Sequence, residues 1–320
     1  MEMISVIYIR EVIVRMKIGI FGTGAIGGFY GGILAKNGAD VVFIARGRIL
    51  EVIKERGLTI KSFRHGHFTL KVNAIESPKE AGKVDVVLLC VKSYDTEGVA
   101  PLILPMLREG SVVISVQNGI ENEEILSRVL GRERVLGATA FIGVYVESPG
   151  TVVHQAAGLL EIGELSGKAT ERVKKIVDFL KSRGIEARVS KDINYALWKK
   201  LLWNVSFNPY SVMTRATVGQ MIEVPEVKEV LKRLMEEAIL VAKAYNVNLE
   251  KGIIDDYLNP SEDLINYKTS MLLDFERGKT LEIEGITGAL IRKANMKGID
   301  IPYNKCVYAT VKLLDKLRMG

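Results

Sequence analysis

Lys17-Ile18-Gly19-Ile20-Phe21-Gly22-Thr23-Gly24-Ala25-Ile26-Gly27 is a short apolar strand that runs into Gly-x-Gly-x-x-Gly and then into a helix-forming stretch. Each glycine of that pattern has a physical task. Gly22 permits the tight turn, Gly24 lets the backbone approach a pyrophosphate, and Gly27 lets the helix pack closely on the strand. The free N–H groups at the helix start face the anionic phosphates. Alone, the pattern is weak. Here a strand precedes it, a helix follows, and a second strand at Val41–Ala45 comes next. That context predicts a nucleotide site built from Gly22, Thr23, Gly24, Ala25, Ile26 and Gly27.

Working outward, the apolar runs Val84–Val91, Val112–Val116 and Val135–Ala138 alternate with helical stretches at Ile26–Asn37, Gly47–Arg56 and Thr96–Leu107. Continuous apolar strands separated by helices predict a parallel sheet covered on both faces. Two antiparallel additions are expected at or beside the sheet edge: Leu58–Phe63 with His67–Val72, and Thr139–Val146 with Thr151–Gln155 around a Pro149-Gly150 turn. From Lys191 the periodicity becomes helical, over Asp192–Phe207, Val227–Tyr245, Ser261–Arg277 and Thr280–Lys297, punctuated by Pro209, Pro225, Gly278 and Gly298. The fold class is therefore α/β: an N-terminal doubly wound (Rossmann-like) sheet over residues 16–190, followed by an all-α domain over 191–320. Residues 1–15 read as an N-terminal extension upstream of a natural start at Met16. The alternative is a genuine extra strand or helix.

Composition excludes several classes. The 320 residues are 48% apolar and 26% charged with a formal charge of +6, an ordinary globular balance without the lysine/arginine block of a nucleic-acid arm. Met3–Ile9 is too short to span a bilayer and lacks the flanks of a signal peptide. Two cysteines, Cys90 and Cys306, make no disulfide framework and fit a reducing cytoplasm; Cys90, inside an apolar strand, reads as a small buried thiol. The three histidines are scattered, so no metal site is expected.

Where an acid would bind a ribose hydroxyl at the end of the second strand, the chain has Arg46-Gly47-Arg48. A guanidinium there favours NADP(H) over NAD(H), with dual use within reach of the same geometry; solvated arginines at a helix start are the plain alternative. Lys200, Asn204 and Asn208 recur at four-residue spacing amid leucine, tryptophan and phenylalanine, so a helix would set them on one face. A lysine desolvated in such surroundings becomes a proton donor near neutral pH. A surface lysine with asparagines bonded to backbone is the competing reading. Gln117-Asn118-Gly119 follows the fourth core strand, where α/β sheets put ligands, although Asn-Gly is also a common turn. Glu282 and Glu284 fall on a turn entering a helix, where capping would account for one of them.

Together, Gly-x-Gly-Ala-Ile-Gly, Cys90-Val91-Lys92-Ser93, Gln117-Asn118-Gly119, Lys200…Asn204…Asn208-Pro209, Ser270-Met271-x-x-Asp274 and Thr280-x-Glu282-Ile283 resemble ketopantoate reductase, in that family's order and from Met16 almost to the end. The resemblance implies an NADPH-dependent reduction of 2-dehydropantoate to pantoate, a step toward pantothenate and coenzyme A. It implies Lys200 as general acid and Asn118, Asn204, Asn208, Ser270 and Glu282 as substrate contacts, with Glu282 accepting from the substrate hydroxyl. Lys92, Arg46, Asn118 and Glu282 would also border the cofactor. One position departs from the pattern: Tyr267 stands three residues before Ser270, where the family places an asparagine.

Two other readings compete with this one. A related oxidoreductase acting on another 2-oxo or 3-hydroxy acid would share the glycine loop, but a substrate without a distal hydroxyl would give Glu282 no partner. A non-catalytic NADP-binding regulator would not need Lys200 and Glu282 together. The apolar helices of the second half suit homodimerisation.

Overall fold

A computed structural model of the chain describes residues 15–319; the extension expected over residues 1–15 lies outside them apart from Arg15. The described residues form one ten-stranded sheet and thirteen α-helices. In the first half these are β1 (Lys17–Phe21), α1 (Ala25–Lys36), β2 (Asp40–Ile44), α2 (Gly47–Arg56), β3 (Leu58–Ser62), β4 (Gly66–Leu70), β5 (Asn73–Ile75), β6 (Val84–Leu89), α3 (Thr96–Ile103), β7 (Leu107–Ser115), α4 (Asn122–Leu130), β8 (Val135–Ser148), β9 (Thr151–Glu164), α5 (Glu171–Ser182) and β10 (Ala187–Val189). The strands lie in the order β4-β3-β9-β8-β7-β6-β1-β2-β5, with β10 beside β9.

From β5 through β1 to β8 all pairings are parallel. That is the doubly wound order, whose reversal between β1 and β6 opens a crevice at the strand C-termini. Helices α1, α2 and α5 cover one face around Ile20, Phe43 and Ile60. Helices α3 and α4 cover the other, and that core runs without interruption into the helical half through Leu201, Leu202 and Phe207. Burying each such side chain contributes about 1.5–3 kcal/mol. The glycine loop has the expected geometry. Gly22 sits at φ +99°, and a Cβ on Gly27 would lie 2.2 Å from the Gly22 carbonyl oxygen.

The helical half comprises α6 (Ile193–Thr214), α7 (Val218–Ile222), α8 (Pro225–Ala244), α9 (Gly252–Leu258), α10 (Glu262–Ile265), α11 (Ser270–Glu276), α12 (Ala289–Met296) and α13 (Pro302–Met319). Asp192 caps α6, its carboxylate accepting from the N–H groups of Asn194 and Tyr195 at 2.9 and 3.2 Å.

The structure corrects four local expectations. The β8–β9 hairpin is central in the sheet, not at its edge, because β9 pairs onward with β3 in parallel through Thr59–Ser62 and Thr151–His154. Pro209 does not end α6 but lies inside it; the helix is buried on most sides, and packing outweighs one lost backbone bond. The helix expected over Ser261–Arg277 is broken in two, because the Thr269 hydroxyl accepts from the Leu272 N–H at 3.2 Å and starts α11 afresh. The helix expected over Thr280–Lys297 begins instead with a π turn, Glu284–Gly288, leading into α12.

Candidate active site

The ends of β1, β6 and β7 and the facing surfaces of α6 and α11 enclose a cleft of about 920 Å³. On the sheet side it is lined by Gly22, Thr23, Gly24, Ala25 and Ile26, then Arg46, Lys92 and Asn118; on the helical side by Lys200, Asn204, Asn208, Ser270 and Glu282. Of the residues expected at the site, Gly27 alone stays out of the lining. Its place is the contact between α1 and the loop.

The loop suits a dinucleotide. A Cβ on Gly24 would meet nothing within 4 Å, so the backbone is open toward the cleft. Gly24 caps α1 without a side-chain bond, which leaves the first N–H groups available to an anion. Thr23 turns its hydroxyl to the Ile44 carbonyl at 3.1 Å and holds the loop to β2. Arg46 is 82% exposed in its side chain and reaches Asp95 at 3.4 Å, so it is free to turn toward a phosphate. Arg48 points elsewhere, to Glu51 at 3.0 Å.

Elsewhere in the cleft, Lys92 donates to Asp274 at 2.7 Å and to Glu282 at 2.8 Å. Burial works against the Lys92 charge, yet the two carboxylates outweigh it and raise the ammonium above the ordinary lysine value. Glu282 is 6% exposed. Its carboxylate also accepts from the Ser93 N–H at 3.0 Å, the Ser93 hydroxyl at 3.1 Å and the Asn118 amide at 3.4 Å. Burial alone would raise this carboxyl; Lys92 and the Ser93 bonds reverse that, so it is held below the usual carboxylate range and is anionic. Asn118 is itself fixed, its carbonyl accepting from the Asn122 amide at 2.8 Å.

Helix α6 carries the other polar wall. Lys200, Asn204 and Asn208 do share one face, and the Asn208 amide donates to Asn204 Oδ1 at 3.2 Å. Both asparagines are buried, at 5% and 2% exposure. Desolvation lowers Lys200 to about 8, against the opposing pull of Glu282 and Glu123. An ammonium with that affinity is largely protonated at neutral pH and gives up its proton readily. By exposure Lys200 is half-buried, and it lines the cleft. Glu284 is a structural residue, accepting from the Tyr308 hydroxyl at 2.7 Å and pairing with Lys312 at 2.6 Å.

Several cleft residues escaped the sequence reading. Residues 139–146 of β8, Trp203, Tyr257 and Arg277 also line it. Trp203 lies three residues from Lys200, so the same helical spacing signalled it. Asp274 stood in a recognised motif without a role, and nothing local marks it as the partner of Lys92. Tyr267 lines the cleft as well, so the departure from the family pattern falls inside the site. Cys90, expected to be a small buried thiol, follows β6, packs partly buried against the core and also lines the cleft.

Known proteins resemble both halves of the chain. Residues 18–167 match the model of the ketopantoate reductase PanE/ApbA family, and residues 192–315 match its C-terminal counterpart. The chain is 31% identical to a 2-dehydropantoate 2-reductase of Archaeoglobus fulgidus over 92% of this chain and 97% of that one. Among solved structures, a 2-dehydropantoate 2-reductase from Geobacter metallireducens superposes with a TM-score of 0.89 at 31% identity, over 93% of this chain and all of that one. A D-mandelate dehydrogenase with NADH and anilino(oxo)acetate superposes equally well, TM-score 0.89, over 95% of this chain at 23% identity, a likeness of fold.

Proposed function

The chain belongs to the ketopantoate reductase family of oxidoreductases, and from that premise we propose that it reduces 2-dehydropantoate to pantoate with NADPH. The observation that carries the reading is the convergence of the glycine loop, Lys200 and Glu282 on one cleft. The nicotinamide cofactor supplies the hydride when bound. The residues that fit it are Gly22, Thr23, Gly24, Ala25 and Ile26 against the pyrophosphate, Gly27 as the packing contact that shapes the loop, Arg46 toward a 2′-phosphate, and Lys92 and Asn118 near the ribose and ring. Arg46, just past β2 with no acid at that strand's C-terminal end, favours NADPH over NADH.

The protein's part in the reaction is binding, orientation and one proton. Asn204, Asn208 and Ser270 offer uncharged donors to the substrate's carboxylate and oxygens. Glu282, anionic and held rigid by Ser93, accepts from the substrate's hydroxyl and fixes which face of the ketone is presented. The Lys200 ammonium stabilises the negative charge that develops on the ketone oxygen and passes its proton to that atom. Such a site belongs to pantothenate and coenzyme A biosynthesis in the cytoplasm, and the apolar helical half suits a homodimer. We divide the chain functionally at residue 190, with the cofactor held by 16–190 and the substrate by 191–320.

The deciding experiment follows loss of reduced nicotinamide with 2-dehydropantoate and NADPH. Turnover that disappears in Lys200→Ala, with NADPH binding retained, is the expected result. Turnover confined to another 2-oxo acid would keep the chemistry and overturn the substrate.

A further inference from the structure

The turn that carries Asn118 into the cleft rests on a chain of buried hydrogen bonds behind it. Thr96, the first residue of α3, and Asn122, the first residue of α4, are 0% and 3% exposed, and neither lines the cleft. The Gln117 side-chain amide, in a residue 4% exposed, donates to the Thr96 hydroxyl oxygen at 2.7 Å. Thr96 donates to Asn122 Oδ1 at 2.9 Å, and the Asn122 amide donates to the Asn118 carbonyl at 2.8 Å. The chain leaves the turn at Gln117, passes through the starts of two helices, and returns to the turn at the neighbouring residue.

The direction of every bond follows from its far end. A backbone carbonyl only accepts, so Asn122 turns its NH2 group to Asn118 and its oxygen to Thr96. That oxygen takes the Thr96 hydroxyl hydrogen, which leaves the Thr96 oxygen to accept from Gln117. Two further contacts give the turn little slack. Gly119 sits at φ +105°, and a Cβ there would lie 2.3 Å from the Gly285 carbonyl oxygen of the π turn. On the cleft side, the Asn118 side-chain amide faces Glu282 at 3.4 Å. Apolar side chains would fill the same interior space without the risk of unpaired polar groups, whereas a fully satisfied polar network fixes one geometry.

We propose that Thr96 and Asn122 are positioning residues for the reaction: acting through the 117–119 turn, they hold Asn118 where its amide meets cofactor and substrate. The inference rests on the reading of Asn118 as a contact to both. Thr96 is the link on which the rest depends, because its one hydroxyl sets the orientation of the Gln117 and Asn122 amides together. Without it, the Gln117 donor and the Asn122 oxygen are left unpaired in the interior, and the Asn122 amide loses the bond that keeps its NH2 group on the Asn118 carbonyl.

The test is a set of double-mutant cycles: Thr96→Val, Thr96→Ser and Asn122→Ala, each made in the wild type and in Asn118→Ala. Thr96→Val keeps the shape and removes the hydroxyl. In the wild-type background it is expected to lower kcat/KM for 2-dehydropantoate by about tenfold, since a small misplacement of a group that orients the reactants is costly. Thr96→Ser recovers most of that loss. Asn122→Ala breaks the chain at its other link, should match Thr96→Val, and serves if that variant folds poorly. In the Asn118→Ala background the effect of either should shrink to within about twofold, because residues of one hydrogen-bond network do not act additively. A purely structural role would cost the same factor in both backgrounds. The same cycles are read from NADPH affinity by fluorescence titration, which needs no turnover and so separates failure of this inference from failure of the substrate assignment. An Asn118→Ala variant with wild-type rate and NADPH affinity would sink the reading of Asn118, and this inference with it. Where Asn118→Ala does lose function, folded Thr96→Val and Asn122→Ala variants that match wild type, or that lose the same factor with and without Asn118, would overturn the inference alone.

Discussion

Lys92, just past β6, donates at 2.8 Å to Glu282, which lies 190 residues further along the chain at the entrance to the π turn. The same carboxylate accepts from Ser93 and Asn118, so one side chain of the helical half is clasped by three residues of the sheet half. The clasp leaves the ammonium of Lys92 facing the cleft with part of its surface open, where a cofactor's oxygens would compete for it. It also gives Glu282 a single orientation, which is what a group that must choose one end of a substrate needs.

Glu282→Gln removes the charge while keeping the shape. With 2-dehydropantoate, kcat/KM is expected to fall by about 10²-fold or more, because a charged hydrogen bond and its geometry are lost together. With a 2-oxo acid that has no distal hydroxyl, the change should stay within about tenfold. Steady-state kinetics on the two substrates distinguishes this from a general loss of the site.

Lys200→Ala should lower kcat by about 10²–10⁴-fold, the usual contribution of a placed proton donor. The wild-type rate should decline as pH rises through about 8, since the depressed affinity empties the donor above that value. The variant's residual rate should lack that decline. Fluorescence titration with NADPH would check that cofactor affinity is preserved.

Arg46→Ala should weaken NADPH by roughly tenfold, equivalent to about 1.4 kcal/mol, and leave NADH almost unchanged. Its side chain makes one exposed ion pair, with Asp95 at 3.4 Å, worth little to folding. The thermal midpoint should therefore barely move. An equal loss for both cofactors would show that Arg46 does not read the 2′-phosphate.

Gly27→Ala adds one carbon where only 2.2 Å separates a Cβ from the Gly22 oxygen. Either α1 or the loop must shift, at a cost of about 1–3 kcal/mol. Denaturant unfolding and an NADPH titration should both register the change. A variant that loses stability but binds NADPH normally would show that the loop tolerates displacement of its helix.

The glycine loop and the Lys200 stripe were readable because each is a local pattern, a strand–turn–helix and a four-residue repeat. The position of the β8–β9 hairpin was not, since it depends on β3 finding β9 across about ninety residues. The role of Asp274 was illegible for the same reason: its partner Lys92 lies 182 residues away. Pro209 misled because a rule about isolated helices was applied to one that tertiary packing sustains.

The π turn at Glu284–Gly288 amounts to one residue more than a regular helix would hold over the same span. Each residue of an α-helix advances the chain by about 100° around its axis. Deleting any one of the five would let the segment relax into uninterrupted α-helix, a gain in local regularity. It would also swing the preceding chain through roughly that angle and carry Glu282 off Lys92 and Ser93. The segment is therefore one where a shortened gene would yield a tidier helix and an idle enzyme, and where natural length variants should be scarce.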